Sequence, residues 1–260
     1  EMCIRDRAES GADLLIYGMG DGVVERVARA MHNGYNAKLL RNIPQVGFLA
    51  DSSYVGRLDP ARTIRLRSFE ECTADPRALG DNFTVIETQS NLMEPTATLV
   101  EPVGDRFMVL TPPLSAAEAG DLDRSFDLPY ERAPHPRYAG RGAIPAWEMI
   151  KHSVNIHRGC FGGCNFCAII SHEGRIIQRR SHASLIREAK ILTHMKGFKG
   201  YIHDVGGPTA DFRGPACKKQ LTKGACPNRN CLFPEPCKNM VADHRDYCLL
   251  YTSPSPRDLS

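Results

Sequence analysis

Between His152 and Val205 the apolar residues change period twice, and no other feature limits the fold of this chain so strongly. His152 to His157 alternates as a half-buried strand does, and Leu185, Ile186, Ala189, Leu192 and Met195 then recur at helical spacing. Gly197 is placed to end that helix, and Gly200 to Val205 reads as a second strand. This order describes a β-loop-α-β unit, whose strands run parallel and whose crossover is right-handed with few exceptions. The loop after the first strand and Gly206-Gly207 after the second are therefore predicted to share one carboxyl rim. Ligands bind at that rim in α/β barrels.

The first of those loops is RGCFGGCNFC, residues 158–167, which places the thiols of Cys160, Cys164 and Cys167 within eight residues. Glycine at 159, 162 and 163 gives the backbone the freedom to wrap around a compact object. A [4Fe-4S] cluster takes four thiolates, so three close neighbours leave either a distant fourth ligand or one iron open to a small molecule. The open iron is the arrangement that catalysis needs. Competing readings are a disulfide, disfavoured in a cytosolic protein, a purely electron-transferring cluster, and structural zinc, which normally uses two pairs of cysteines.

Cys217, Cys226, Cys231 and Cys237 form a second group, set among Lys218, Lys219, Pro227, Pro234 and Pro236 in a hydrophilic insertion over residues 213–240. Thiols in such a segment have little reason to be buried as small hydrophobes. A second metal site or cluster explains them, and tetrathiolate zinc and an auxiliary Fe-S cluster are both compatible. Free or partly paired thiols are the plainer alternative. His244 is able to replace one thiol, and Cys72 stands apart from both groups.

The spacing of the first loop, with the aromatic Phe166 just before its last cysteine, resembles the radical S-adenosylmethionine (SAM) signature. The run from Ile144 to Arg180, with IPAWEMI, SVNI, RGCFGGCNFC and HEGRIIQRR, is similar to the YgiQ family of radical SAM proteins. DVGGPTADF at Asp204 to Phe212 and the upstream pieces DLLIYGMGDG, FMVLTPPLS and LPYERAPHP extend the likeness. That resemblance implies a [4Fe-4S] cluster on Cys160, Cys164 and Cys167, SAM as cofactor and a barrel-type core. It also implies reductive cleavage of the sulfonium to a 5′-deoxyadenosyl radical, with electrons from a small donor protein and a substrate the family does not identify. Gly206 and Gly207 would receive the SAM amino group, and Phe166 would pack near the adenine. Pro208 stands where an acidic residue is usual, a departure that bears on the hydrogen bonding there.

Upstream, Asp13 to Gly18 is a short strand leading into Val23, Val24, Val27, Ala30 and Met31 at helical spacing, the pattern of an α/β domain's last unit. The expected fold class is α/β, a partial radical SAM (βα) barrel over 146–247 preceded by a Rossmann-like remnant and connector over 8–145. Within the latter, Gly34 to Asn82 reads as irregular with one or two strands, and Thr84 to Glu87 and Arg106 to Leu110 read as strands. Ser115 and Glu118 are spaced as a capping box, and Pro129, Pro134, Pro136 and Pro145 mark a linker.

Both ends look foreign. Cys248 to Ser253 is what TGT CTC TTA TAC ACA TCT encodes, a transposase adaptor end, and the reverse complement gives Met2 to Asp6. Residues 1–7 and 248–260 are thus expected to be adaptor-derived, and the remainder to be cut from a longer gene. Such a piece is expected to bind cluster poorly and to show no turnover alone. The net charge of +3 is too weak to indicate nucleic acid, although Arg175, Arg179 and Arg180 form a small basic cluster whose ordinary reading is a solvated face. A rival reading makes both cysteine groups structural in a metal-stabilised binding module, with those arginines meeting RNA phosphate. No apolar run is long enough to span a bilayer and no signal peptide opens the chain, so the expected location is the cytoplasm.

Overall fold

The computed structural model describes residues 8–116, 119–208, 212–241 and 243–252. In the first half, strands β1 (Leu15–Ile16), β2 (Val46–Ala50), β3 (Thr63–Arg65), β4 (Thr98–Val103) and β5 (Arg106–Leu110) build a five-stranded sheet in the order β1-β2-β5-β4-β3. Alternation along the strands divides its side chains between two faces. Val46, Phe48 and Ala50 of β2 join Val100 and Val109 in one buried cluster, beneath Val23 of the helix Asp21–His32. Leu99, Met108 and Leu110 form the other, which Val85 and Ile86 of the helix Pro76–Ser90 cover. The result is a sheet sandwiched between helices.

The Rossmann-like expectation does not hold for this sheet. A Rossmann-like sheet is mostly parallel, whereas here only β3 and β4 pair parallel, and β1-β2, β2-β5 and β4-β5 are antiparallel. For β4 and β5 the reason is local: they are joined through Gly104 at φ 60° with Val103 opposite Arg106, a connection too short for any crossover.

Thr84 to Glu87 is likewise corrected, since it lies inside the helix Pro76–Ser90. Asp75 caps that helix through the Arg77 N–H at 2.9 Å and Pro76 opens its first turn, so the start signal and tertiary packing outweigh the β-branched run Thr84, Val85, Ile86. The stretch from Gly34 to Asn82 does hold two strands, β2 and β3, but it is more regular than expected. The helix Phe69–Ala74 carries a complete capping box, Ser68 with Glu71, that the sequence reading passed over. Arg106 to Leu110 is β5, as expected. A helix runs over Ala119–Phe126, while Glu118 of the expected capping box lies outside the described residues. The proline-marked linker contains only the single turn Pro136–Tyr138 before Pro145 starts the helix Pro145–Ile150.

The second half is organised on β6 (Ser153–Asn155), β7 (His157–Arg158), β8 (Gln178–Arg179) and β9 (Asp204–Gly206). β6 and β9 pair parallel, with Asn155 opposite Gly206, and β7 and β8 pair antiparallel between them in sequence. The helix His182–Thr193, capped by Ser181, lays Leu185 and Leu192 on Val154 and Ile156. The β-loop-α-β unit is therefore present. Its details differ: the expected single strand His152–His157 is split into β6 and β7, the second strand begins at Asp204 instead of Gly200, and the helix ends at Thr193, before Gly197. Cys248 to Thr252 continue the helix Arg245–Thr252, and residues 1–7 and 253–260 lie outside the described ones. No helix among the described residues is long and apolar enough to cross a membrane.

Candidate functional site

The cysteine loop leaves β7 at Gly159, whose φ of 85° suits glycine alone. A Cβ at Gly159 would also lie under 3.0 Å from the Ile176 carbonyl oxygen. Two bonds close the loop on itself: the Cys160 N–H donates to Gly174 O at 3.1 Å, and the Gly159 N–H donates to Glu173 Oε2 at 2.9 Å. Inside, Gly162 sits between sulfurs, since a Cβ there would be 3.3 Å from Cys160 Sγ and 3.8 Å from Cys164 Sγ. The Cys167 N–H donates to Cys164 O at 3.0 Å and completes the turn.

Burial pushes the Cys160 thiol up; the Gly162 N–H opposes that shift, and Cys167, Cys164 and Glu173 add to it electrostatically. Cys164 is exposed and Cys167 half-buried. Phe166 is 93% exposed, so packing against its own loop does not account for it. The structure thus gathers the three cysteines on one loop. Among the described residues, however, no group of three or more His, Cys, Asp or Glu side chains is close enough as it stands to hold a metal ion.

Gly206 ends β9 and Gly207 follows it, at the end where the cysteine loop follows β7. The Ile156 N–H donates to Gly206 O at 2.9 Å, and a Cβ on Gly207 would lie 2.6 Å from His157 Cε1 and 3.1 Å from its carbonyl oxygen. Any larger residue at 207 collides with the strand that leads into the cysteines. Pro208 is buried, and residues 209–211 lie outside the described ones.

The basic cluster is not a solvated face. Arg175 and Arg180 are 3% and 0% exposed, and of the trio only Arg179 reaches solvent. β8 alternates, with Gln178 buried and Arg179 out, and Arg180 follows inward. Arg180 donates to Asn155 O at 2.9 Å, to Ser184 Oγ at 2.8 Å and to Glu188, and its guanidinium lies 4.3 Å from the Phe126 ring centroid. Arg213, 2% exposed, donates to Ile156 O at 3.0 Å and Arg180 O at 2.9 Å. Two buried guanidinium groups therefore fix the carbonyls of the strand segment that feeds the cysteine loop, and neither is available to RNA phosphate. Arg158 extends this frame to the first half by pairing with Asp21 at 2.5 Å. These residues were missed at the sequence level because arginine is rarely buried; the alternation across 178–180 was the available signal.

The second cysteine group lies directly against the first loop. A Cβ on Gly163 would be 2.8 Å from Asn230 Oδ1, and one on Gly162 would be 4.0 Å from Leu232 Cδ1, the two neighbours of Cys231. Burial pushes the Cys231 thiol up; Arg175 opposes the shift, and Cys217, Cys237 and Cys226 reinforce it. Asn91 ties both loops to the first half: its side-chain oxygen accepts the Arg175 N–H at 2.6 Å and its carbonyl accepts the Ala225 N–H at 2.9 Å. His244 stacks instead on Phe212, with centroids 4.8 Å apart. Cys72 lies away from both groups and accepts a bond from Asn82 Nδ2 at 3.2 Å.

Arg213 is itself anchored by Asp246, whose carboxylate accepts from Arg213 Nε at 2.6 Å. Desolvation raises the Asp246 pKa, but Arg213, Arg179 and His182 outweigh it and hold the group below its usual value of 3.8. A carboxylate with a depressed folded-state pKa contributes stability that is present above the unfolded value and lost as pH falls through the folded one. Denaturant titrations from pH 6 to pH 2 should show this loss below about pH 4. Asp246→Asn should be less stable at pH 6 and decline less on acidification; parallel curves for the two proteins would exclude the role.

The sequence is similar to known proteins along most of its length. The family model described as "Radical SAM N-terminal" matches residues 7–153. A UPF0313 protein of Porphyromonas gingivalis is 45% identical over 239 residues, covering 91% of this chain and 37% of that protein. UPF0313 proteins of Clostridium perfringens and Clostridium botulinum are 43% and 39% identical over 243 and 244 residues, covering 92% and 93% of this chain and 36% and 37% of those proteins. The chain thus spans little more than a third of the length of these relatives. No solved structure matches. With the family model covering more than half the chain and close UPF0313 relatives along nearly all of it, the chain belongs to the radical SAM N-terminal family and, within it, to the YgiQ group.

Proposed function

We propose that the chain is the cofactor-binding part of a radical SAM enzyme, with Cys160, Cys164 and Cys167 as the three protein ligands of a [4Fe-4S] cluster. The observation that carries this reading is Gly162 lying between the Cys160 and Cys164 sulfurs, on a loop that Gly159 turns and Glu173 closes. The donor set fits the group: three thiols on one short loop satisfy all but one cluster corner. Ligation would draw the thiols together from their present neighbouring positions.

Held by Cys160, Cys164 and Cys167, such a cluster would supply the reducing electron by which SAM is cleaved to methionine and a 5′-deoxyadenosyl radical. The residues of this chain hold and orient. Gly206 and Gly207 present backbone beside the cysteine loop, where a Cβ on Gly207 would fill the space next to His157. Phe166, exposed on that loop, offers a ring face to the adenine. The parallel pair β6-β9 is the beginning of a (βα) barrel in this reading, with the cysteines at its carboxyl rim. A small electron-donor protein supplies the reductant, in the cytoplasm, and the hydrogen donor is unassigned.

The test is anaerobic reconstitution of the full-length protein with iron and sulfide, followed by reduction with dithionite in the presence of SAM. About four irons per chain assigned to the first loop, an EPR signal that shifts on adding SAM, and release of 5′-deoxyadenosine are expected. Cys164→Ala should reduce 5′-deoxyadenosine to background. A cluster signal unmoved by SAM and unaffected by Cys164→Ala would overturn the reading.

A further inference from the structure

The insertion over 213–240 contains one short helix, Gln220–Lys223, and its buried apolar side chains among the described residues reduce to Ala216. That is too little hydrophobic burial to order a segment of this length. Its four cysteines are each half-buried. The chain between them is held by backbone bonds, with the Cys237 N–H donating to Cys231 O at 2.8 Å.

A buried cation runs beside them. The Arg175 side chain, 4% exposed, pairs with Glu87 and donates to Cys226 O at 3.0 Å and Arg229 O at 2.7 Å. Its Nε is buried with no hydrogen-bond partner among the described residues. An unsatisfied guanidinium N–H at such depth is costly unless an acceptor is supplied. From the other side, Lys219 Nζ reaches Cys226 Sγ at 3.7 Å. Four thiolates around a metal carry excess negative charge, which two flanking cations would balance.

We propose that Cys217, Cys226, Cys231 and Cys237 bind a second metal centre through four thiolates, and that this centre orders the segment that rests on the radical SAM loop. As they stand the four thiols are not close enough to hold a metal, and ligation would draw them together, as is usual for small sites whose folding and ligation are coupled. Each thiol would lose its proton to solvent on ligation, with no change of oxidation state. Zinc and an Fe-S cluster share this ligand chemistry, and the metal itself distinguishes them. The proposal stands apart from the function of the first loop.

It is tested on the full-length protein with Cys160, Cys164 and Cys167 all changed to Ala, purified anaerobically and assayed for zinc, iron and sulfide. About one zinc per chain supports a tetrathiolate zinc site, and about four irons with matching sulfide support a cluster. In either case, adding Cys231→Ser should lower the metal content about tenfold. The same Cys231→Ser change in protein with an intact first loop should remove that metal while the first-loop iron remains, so the result holds even if the triple variant fails to fold. Metal near zero in both backgrounds, or metal content unmoved by Cys231→Ser, would overturn the second centre and leave the first-loop reading untouched.

Discussion

Gly159→Ala is expected to destabilise the protein by about 4 kcal/mol, combining a left-handed backbone strain of about 1 kcal/mol with overpacking of about 3 kcal/mol. The two contributions are separable because Gly197 has the same φ of 85° but nothing within 4 Å of a built Cβ. Gly197→Ala therefore carries the backbone strain alone and should cost about 1 kcal/mol. At Gly159 the new methyl meets the backbone of Ile176, which cannot rotate away as a side chain would. Either β7 or the 174–177 segment must shift, and the Cys160 N–H bond to Gly174 O shifts with it. Denaturant unfolding of both variants measures the difference. Equal losses of stability would show that the contact with Ile176 is relieved without effect.

Arg180→Met should cost about 3–5 kcal/mol, the usual penalty for removing one member of a buried ion pair. The penalty arises because the partner stays behind: Glu188 is 7% exposed and among the described residues would keep only Arg132, at 2.7 Å, as its counter-charge. Asn155 O and Ser184 Oγ would each lose a donor as well. Glu188→Gln on the same background should recover part of the loss, since a neutral amide needs no buried cation. Additive effects of the two substitutions in a double-mutant cycle would show that the pair is not coupled as described.

The parts legible in the sequence are those where one local signal decides. The period change from His152 to Val205 gave the parallel unit because strand alternation and helical spacing differ there without competition. The cysteine spacing gave the loop, because glycines and thiols at those intervals suit few objects. The first half was misread where signals competed. Thr84 to Ile86 carries strand propensity, yet Asp75 and Pro76 start a helix there and the sheet beneath rewards it. Apart from the β4-β5 hairpin, sheet direction was illegible, because pairing between strands distant in sequence is set by packing and not by any short motif. The buried arginines were hidden for a similar reason: their backbone carbonyl partners lie 25 residues away at Asn155 and 33 away between Arg213 and Arg180.

Asn91 joins the upstream half of the chain to both cysteine-bearing segments. One asparagine, at the end of a helix that belongs to the first half, is the shared pivot of two thiol-bearing loops. Any tilt of that helix is passed to both loops together. The leading unit is therefore part of the mounting of the segments that carry the thiols.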